Sequence, residues 1–473
     1  MNPSTAPTPP LSALHQALDA CQTYAPTYDG LYSNHLPMAL HAAWQLGADA
    51  QRLQAQLAHD TPELQPLPEL SAAQPLDDWR EGLGQAQAYA ALRASLQQKI
   101  AQEGPDAVLR QCLVPLLGSA HSTAFHGLIR TAHAWESAHL GELASALAAW
   151  ACDWAPLPQG QTPQQSMPLQ AWWAAVCAEL GEFQAEQNMI QTRMEAATQA
   201  PLYQGLAEAA QAQGSLAQLC QALQGRSLTL YVQTGNFTVL HLLTATRALR
   251  VLLPWVEASA ALDAHLQAVW LRSALAALMA SGVARARPLP EAPSPLPDWP
   301  VLRAAALAQY DEHTLKLVHC GWQEDARQSD PRWRQAAALR LWGEARCAPP
   351  PLDDLDHIHV QVRDRAQAER WYAQALGLTA DAQLLHWAPN GGPLTLRNAS
   401  GQIKLALFEH AAPTPGATVA LRVSPTAYAQ WRARLQATPG LAVEEEDHGL
   451  SQSLYFQDPD GNAYEITCYG RTA

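Results

Sequence analysis

The sequence predicts a two-part chain, an all-α N-terminal domain followed by an α+β C-terminal domain, and three observations predict it. Over residues 11–345, Ala, Leu and Gln dominate, with few β-branched residues and only 5 Phe in the whole chain, a composition that favours helix. Cys347-Ala348-Pro349-Pro350-Pro351-Leu352 breaks that texture as a linker, placed at 346–353. Beyond it, Asp356-His357-Ile358-His359-Val360-Gln361-Val362 alternates as a strand does, and a strand–helix–strands pattern then occurs twice over 354–473.

The elements follow in order. Residues 1–10, rich in Pro, Thr and Ser, read as a disordered tail. A helix over 11–21 and a loop over 24–30 precede Ser33-Asn34-His35-Leu36-Pro37, a helix start with a Ser or Asn cap and Pro in the first turn. That helix runs through Trp44 and stops at Gly47. Helical pattern continues over 79–103, 105–117, 140–152, 169–198, 202–224, 238–249, 262–281 and 301–309. Leu228–Val232 reads as an extended run, and 287–300 as a Pro-rich loop. In the C-terminal part a helix over 365–376 and another over 425–436 alternate with strands at 394–397, 402–408, 417–423 and 453–457.

Composition excludes several functions. A chain of 473 residues has length for two to three domains, and a net charge of −14 argues against nucleic acid or an anionic membrane surface as partner. The start, Met1-Asn2-Pro3-Ser4-Thr5-Ala6-Pro7, lacks the basic and apolar regions of a signal peptide. No run approaches ~18 uncharged apolar residues. The 8 cysteines form no C-x-x-C pair, which reads as reduced thiols in a cytoplasmic protein rather than a disulfide framework or zinc site. The 16 tryptophans are more often core than pocket, although Trp44, Trp135 and Tyr32 are candidates for an aromatic wall.

The chemistry concentrates in Asp311-Glu312-His313-Thr314-Leu315-Lys316-Leu317-Val318-His319. On a helix, His313 and Lys316 share a face. Leu315, Leu317 and Val318 predict burial, where an ammonium is costly. A neutral lysine is a base or nucleophile, and one carboxylated by carbon dioxide becomes an oxygen ligand. Elsewhere His126 and His133 share a helical face roughly 10 Å apart, whereas His35 and His41 point about 120° apart, so only one of the latter two can face a given site.

Two stretches carry family resemblances. Ser33-Asn34-His35-Leu36-Pro37-Met38-Ala39-Leu40, Phe125-His126-Gly127-Leu128-Ile129-Arg130, Leu240-His241-Leu242-Leu243-Thr244 and Asp311–Lys316 together resemble the questin-oxidase-like family over about 12–345. The resemblance implies a helical oxygenase of anthraquinone-type substrates, with a non-haem iron site of several histidines and a carboxylated lysine. Carried over, that names His35, His126, His241, His313 and Lys316 as ligands, with Lys316 and His313 as catalytic. Imidazole suits Fe(II), and a carboxylated Lys316 would supply the anionic donor, with Asp311 orienting an imidazole. Arg130 stands where some relatives carry a histidine, which His121, His133 or His319 would have to replace. The implied partners are a small aromatic substrate and O2. A nicotinamide reductant is compatible with that chemistry, although no Gly-rich dinucleotide fingerprint is present.

Asp356–Asp364, Trp371–Leu378 and Tyr455-Phe456-Gln457-Asp458-Pro459-Asp460-Gly461 with Glu465 resemble the vicinal oxygen chelate superfamily, of paired βαβββ modules, over about 352–470. His357 and Glu465 match its metal-ligand positions. Thr418 stands at a third, and the fourth lacks a clear ligand unless Glu409 or His410 is recruited. Two ligands are too few for a tight site, which predicts binding or packing rather than metal catalysis there. Two alternatives remain: a glyoxalase-like lyase or extradiol dioxygenase in this domain, or a protein sequestering a hydrophobic small molecule. Such modules often pair, which is compatible with a homodimer.

Overall fold

The structure, a computed structural model, describes residues 10–30, 32–67, 74–163, 165–180, 183, 185–211, 214–257, 259–283, 296–343, 354–376, 378–390, 392–402, 404–411, 418–437, 441–457 and 463–469. The predicted tail (save Pro10), most of the Pro-rich loop at 287–300, the linker at 346–353 and the Asp458–Gly461 turn lie outside these residues. The chain divides into two compact units, Met1–Cys347 and Ala348–Ala473.

The first unit opens with α1 (Leu11–Cys21), the short strands β1 (Thr27–Tyr28) and β2 (Tyr32–Ser33), α2 (Leu36–Leu46) and α3 (Ala50–Asp60). It continues with α4 (Tyr89–Glu103), α5 (Pro105–Leu117), α6 (His126–Glu136), α7 (Leu140–Cys152), α8 (Leu169–Glu179) and α9 (Ile190–Ala197). Then come α10 (Pro201–Leu206), α11 (Leu216–Thr234), α12 (Phe237–Leu252), α13 (Ala260–Ala280), α14 (Trp299–Leu307), α15 (Glu312–Gln328) and α16 (Arg332–Trp342). Four sequence expectations change. Leu228–Val232, read as extended, is the interior of α11, where Leu228, Leu230, Tyr231 and Val232 are buried, so packing outweighs a weak β preference. The expected helix over 169–198 breaks into α8 and α9, and that over 202–224 into α10 and the start of α11. Residues 79–82 form a 3-10 turn, and the long helix begins only at Tyr89.

Four helices position the chemistry. α2 packs on α6 and α15, and α12 packs on the same two, closing a ring α2–α6–α12–α15. α12 and α2 are buried on almost every face, as helices apolar all round must be. The segment Phe237–Trp255 is long and apolar enough to cross a membrane, but most of it is buried inside the unit. Next to the ring, the guanidinium of Arg130 donates to both carboxylate oxygens of Glu142, at 2.6 and 3.1 Å. Glu142 is 2 % exposed. Arg130, the departure from the family pattern, is therefore committed to an internal ion pair, whose field raises its pKa further despite burial.

The second unit is an eight-stranded sheet built from two copies of one unit. β3 (Asp354–Val362), α17 (Arg365–Leu376), β4 (Thr379–Ala380), β5 (Leu394–Arg397) and β6 (Lys404–Glu409) form the first half. β7 (Val419–Arg422), α18 (Pro425–Gln436), β8 (Glu444–Asp447), β9 (Ser451–Gln457) and β10 (Ala463–Tyr469) form the second. In each half the first strand pairs parallel with the last, and the others follow antiparallel outward. The halves meet through antiparallel β3 and β7, giving the order β4-β5-β6-β3-β7-β10-β9-β8. This is the multidomain fold class that the sequence predicts, a helical domain followed by an α+β domain of paired βαβββ modules.

Removing one partner of a buried ion pair strands a charge. Glu142→Ala is expected to lose about 3–5 kcal/mol of stability in denaturant unfolding. A loss under 1 kcal/mol would mean that Arg130 finds another partner.

Candidate functional site

Each helix of the ring brings one histidine to a common point, near its own N-terminus. Asn34 Oδ1 accepts from Leu36 N–H at 3.1 Å and sets the entry of α2, leaving His35 as the residue before it. Gly47 ends α2 with φ 107°, a left-handed conformation open to glycine. His126 opens α6 directly after Thr123, Ala124 and Phe125, whose φ values are 46°, 54° and 70°. Three successive left-handed residues without a glycine are strained, and such strain clusters at functional sites. Asn236 caps α12, accepting from Thr238 and Val239 N–H, and His241 lies one turn in. Asp311 caps α15, accepting from Thr314 N–H, just before His313.

The imidazoles follow the helices round the ring. Their centroids are 4.4 Å apart for His35–His126, 5.1 Å for His126–His241, 5.1 Å for His241–His313 and 4.7 Å for His35–His313. His35 Nε2 and His126 Nε2 share a hydrogen at 2.8 Å, and ligating nitrogens of His35, His126 and His313 all lie within 4.8 Å of one another. His241 Nδ1 donates to Phe237 O at 2.9 Å, which leaves Nε2 as its free acceptor. Lys316, 2 % exposed, lies one turn beyond His313, and its Nζ has no hydrogen-bond partner.

Burial governs the charges here. It lowers Lys316 to about 8, against a partial opposing pull from Glu312 and Asp311. Burial, then the charge of Lys316 and the neighbouring rings, holds His35 and His313 well below 6.5. Burial, His241 and Lys316 do the same for His126, and burial and Lys316 take His241 to about 3. Neutral imidazoles are the ligand form, and an amine near neutrality is the form that reacts with carbon dioxide. Four imidazoles and one orphaned buried amine fit a transition-metal centre of nitrogen donors with one anionic oxygen donor.

Of the five predicted ligands, His35, His126 and His313 converge through their nitrogens, His241 packs on His126 and His313 through its ring, and Lys316 is their buried neighbour on α15. The predicted orienting role of Asp311 moves to its neighbour. The Asp311 carboxylate is taken by Thr314 N–H and by Arg340, at 2.9 and 3.0 Å. Glu312 Oε1 instead lies 3.5 Å from both His35 Nδ1 and His313 Nδ1. The histidines considered as replacements for Arg130 do not join the ring: His133 and His319 group with His41, and His121 lines a cleft with Trp154 and His265. Of the proposed wall, Trp135 packs on Trp255, and Trp44 lies 6.1 Å from His41. Tyr32 stacks on Tyr28, whose pKa is raised by burial and by Glu312. Sequence reasoning missed Phe237, 42 % exposed, whose ring meets His241 at 4.8 Å and His313 at 4.6 Å. Its position one turn before His241 was the available signal.

The second unit holds another group. His357 Nε2 and His359 Nε2 are 3.0 Å apart, and each lies 3.5 and 3.4 Å from Glu465 Oε2, a buried oxygen with no hydrogen-bond partner. Burial alone would raise Glu465, but the neighbouring His359 and His357 imidazoles and the hydrogen bond that Ser453 donates to Oε1 hold it below its ordinary value. Asp356 binds His357 Nδ1, the usual outer partner of a ligating imidazole. The expectation of two ligands therefore becomes three. His359 was legible, since residues i and i+2 of a strand face the same side. Glu409 does not join it: it binds Arg365 N–H and is half exposed. Thr418 lies just before β7.

A ring of imidazoles with a buried lysine nearby, on four helices, defines a helical domain organised about a candidate metal centre. The profile of the questin oxidase-like family matches residues 32–320, more than half of the chain, and the protein belongs to that family. That membership points to an oxidoreductase. The glyoxalase/bleomycin resistance protein/dioxygenase superfamily matches residues 354–466. Among solved structures, the chain is similar to methylmalonyl-CoA epimerase from Mycobacterium tuberculosis, with 19 % identity and TM-score 0.22 over 27 % of this chain and 95 % of that one. A variant of methylmalonyl-CoA epimerase from Streptomyces coelicolor, in complex with 2-nitronate-propionyl-CoA, matches with 16 % identity and TM-score 0.20, over 26 % and 100 %. A glyoxalase/dioxygenase from Nostoc punctiforme matches with 23 % identity and TM-score 0.13, over 27 % and 99 %. Comparison with curated proteins returns no match.

Two outcomes follow for the metal-free protein. His35, His41, His126, His133, His241, His313 and His319 are all held below 6.5 when folded, so the unfolded chain binds more protons below that pH. Stability is expected to fall as pH drops from about 6.5, by up to roughly 1.4 kcal/mol per histidine per pH unit. Equal denaturation midpoints at pH 7.5 and 5.5 would contradict this. The Lys316 penalty is complete below pH 8 and is lifted between there and 10.5, where the unfolded chain loses its proton. At pH 7 Lys316→Met should therefore stabilise the metal-free chain by about 3 kcal/mol, read as a higher midpoint. A lower midpoint would mean that the amine is paired.

Proposed function

We propose that the protein is a non-haem iron-dependent oxygenase of aromatic or quinone-like polyketides, with its metal in the helical domain. The observation that carries this reading is the ring formed by His35, His126, His241 and His313, with the unpartnered, buried Lys316 one turn beyond His313. The four imidazoles and Lys316, as its carbamate, would hold Fe(II), which supplies the binding and activation of O2 that the reaction class needs. The carbamate forms when the neutral Nζ adds to carbon dioxide, making the N–C bond and releasing one proton. It provides the single anionic donor that the ring lacks. The helix N-termini around it favour that negative charge. Glu312, whose pKa is raised by burial, is placed to hold Nδ1 of His35 and His313 in orientation.

Substrate binding falls to the aromatic mouth. The exposed Phe237 ring lies over two of the histidines, and Arg340 sits 5.9 Å from its centroid. A flat aromatic substrate stacking on Phe237 would lie next to the metal without displacing a ligand. The expected result for purified protein is near-stoichiometric iron and substrate-dependent O2 consumption, with iron lost in His313→Ala and Lys316→Ala. Full iron and full turnover in folded Lys316→Ala would overturn the role of the lysine.

A second reading, favoured by the His357–His359–Glu465 group, places metal chemistry in the C-terminal domain, as a glyoxalase-like lyase or extradiol-type dioxygenase. Two histidines and one carboxylate are a donor set for non-haem iron and for zinc. Under this reading Glu465→Gln abolishes activity while His313→Ala spares it. The opposite pattern supports the helical centre.

A further inference from the structure

The helical unit holds a cleft of about 280 Å³ that no residue of the histidine ring lines. One wall is α13, where His265, Val269, Arg272 and Ser273 follow the i, i+4, i+7, i+8 spacing of a single helical face. His121 and Trp154 line it from the segments that follow α5 and α7. We propose that this cleft is a binding site for a small aromatic carboxylate.

Two buried polar side chains open into the cleft with hydrogen-bonding capacity unused. His121 is 2 % exposed, and its imidazole makes no hydrogen bond among the described residues. Burial alone lowers its pKa, to about 4, so the ring is neutral and offers one donor and one acceptor. Arg272 is 7 % exposed. Its Nη1 donates to Glu208 Oε1 at 2.7 Å, whereas Nε and Nη2 have no partner among the described residues. Glu208 therefore occupies part of the guanidinium fork and leaves the rest for a ligand. Leaving such groups unmet in a buried site is costly, so something fills the cleft.

The walls decide what. Leu157 and Val269 are apolar, and Trp154 lies beside them with its indole N–H already donated to Pro115 O at 2.9 Å. The indole is thus a pinned aromatic surface on which a ring can stack. No acidic residue lines the cleft. Apolar walls with a few convergent polar groups are the pattern of a small-molecule pocket, and this volume, at the low end of that range, suits one or two fused rings. Water would meet the polar groups but leave the indole, Leu157 and Val269 wet. An aromatic carboxylate meets every demand: its anion takes the free N–H groups of Arg272, its ring covers Trp154, and a ring hydroxyl pairs with His121.

The test is calorimetric titration of the full, metal-stripped chain with 6-hydroxy-2-naphthoate. The expected result is one bound equivalent, weakened about tenfold or more by Arg272→Gln, the worth of a charge-assisted hydrogen bond. The neutral 6-hydroxy-2-naphthamide should lose as much. His121→Leu, which spares the charge, should weaken the naphthoate by a smaller factor, about three- to tenfold. Glu208 is partly exposed, so water can replace Arg272 and the far-ultraviolet dichroism of that variant should be unchanged. No heat with millimolar naphthoate would overturn the proposal and leave water in the cleft. Undiminished binding in folded Arg272→Gln and His121→Leu would overturn it by placing the probe elsewhere, and equal affinity for the amide would remove the carboxylate from it. Iron and oxygen consumption do not enter the readout, so the outcome is independent of the oxygenase reading.

Discussion

The amine of Lys316 lies buried without a hydrogen bond, close enough to four imidazoles to depress each of them, and the electrostatics of the ring follow from it. A buried ammonium would repel any cation and depress its neighbours, as it does for His35, His126, His241 and His313. Under the proposed function the same amine, neutral and carboxylated, would turn that repulsion into attraction, so that one covalent change would convert a place that rejects metal into one that holds it. The rest of the ring is arranged to tolerate both states: imidazoles neutral throughout, carboxylates kept outside the donor set, and Glu312 within reach of two rings.

The C-terminal domain reaches a comparable geometry by duplication instead of by a helical ring. Its two halves repeat the same strand order and meet across β3 and β7. The candidate donors come from β3 and β10, one strand from each half, so the cup exists only when both halves fold. Glu465 is a buried carboxylate whose second oxygen has no partner, and that leaves the group polarised toward a cation.

Much of this was legible in the amino-acid order. The helical texture, the change of pattern after Pro351 and the repeated strand–helix–strands unit are local signals, and local signals carry fold class well. The five residues of the first centre could be named because each sits in a short distinctive segment. The grouping of His41, His133 and His319 was not legible: the single-helix argument that His41 and His35 face different ways is right, yet it says nothing of what His41 meets. Only the packing of α2, α6 and α15 shows that the residues facing away from one group converge on another. Asp311 and Glu312 were exchanged in role for a similar reason. Capping consumes the first, a fact visible only once Thr314 and Arg340 are in place.

The direction of the four helices has a consequence for how the centre comes into being. Because His35 and His41, His126 and His133, and His313 and His319 occur in the same order between the two layers, these helices run parallel, and parallel neighbours need long connections. Donors spread from residue 35 to residue 316 close a very long loop, the kind of contact that forms late. A ribosome must therefore release nearly the whole helical domain before the last imidazole and the lysine arrive together on α15. Until then the emerging chain offers scattered histidines and no shared cavity. A metal ion taken up by this ring would thereby meet a finished fold and not an unfolded polypeptide.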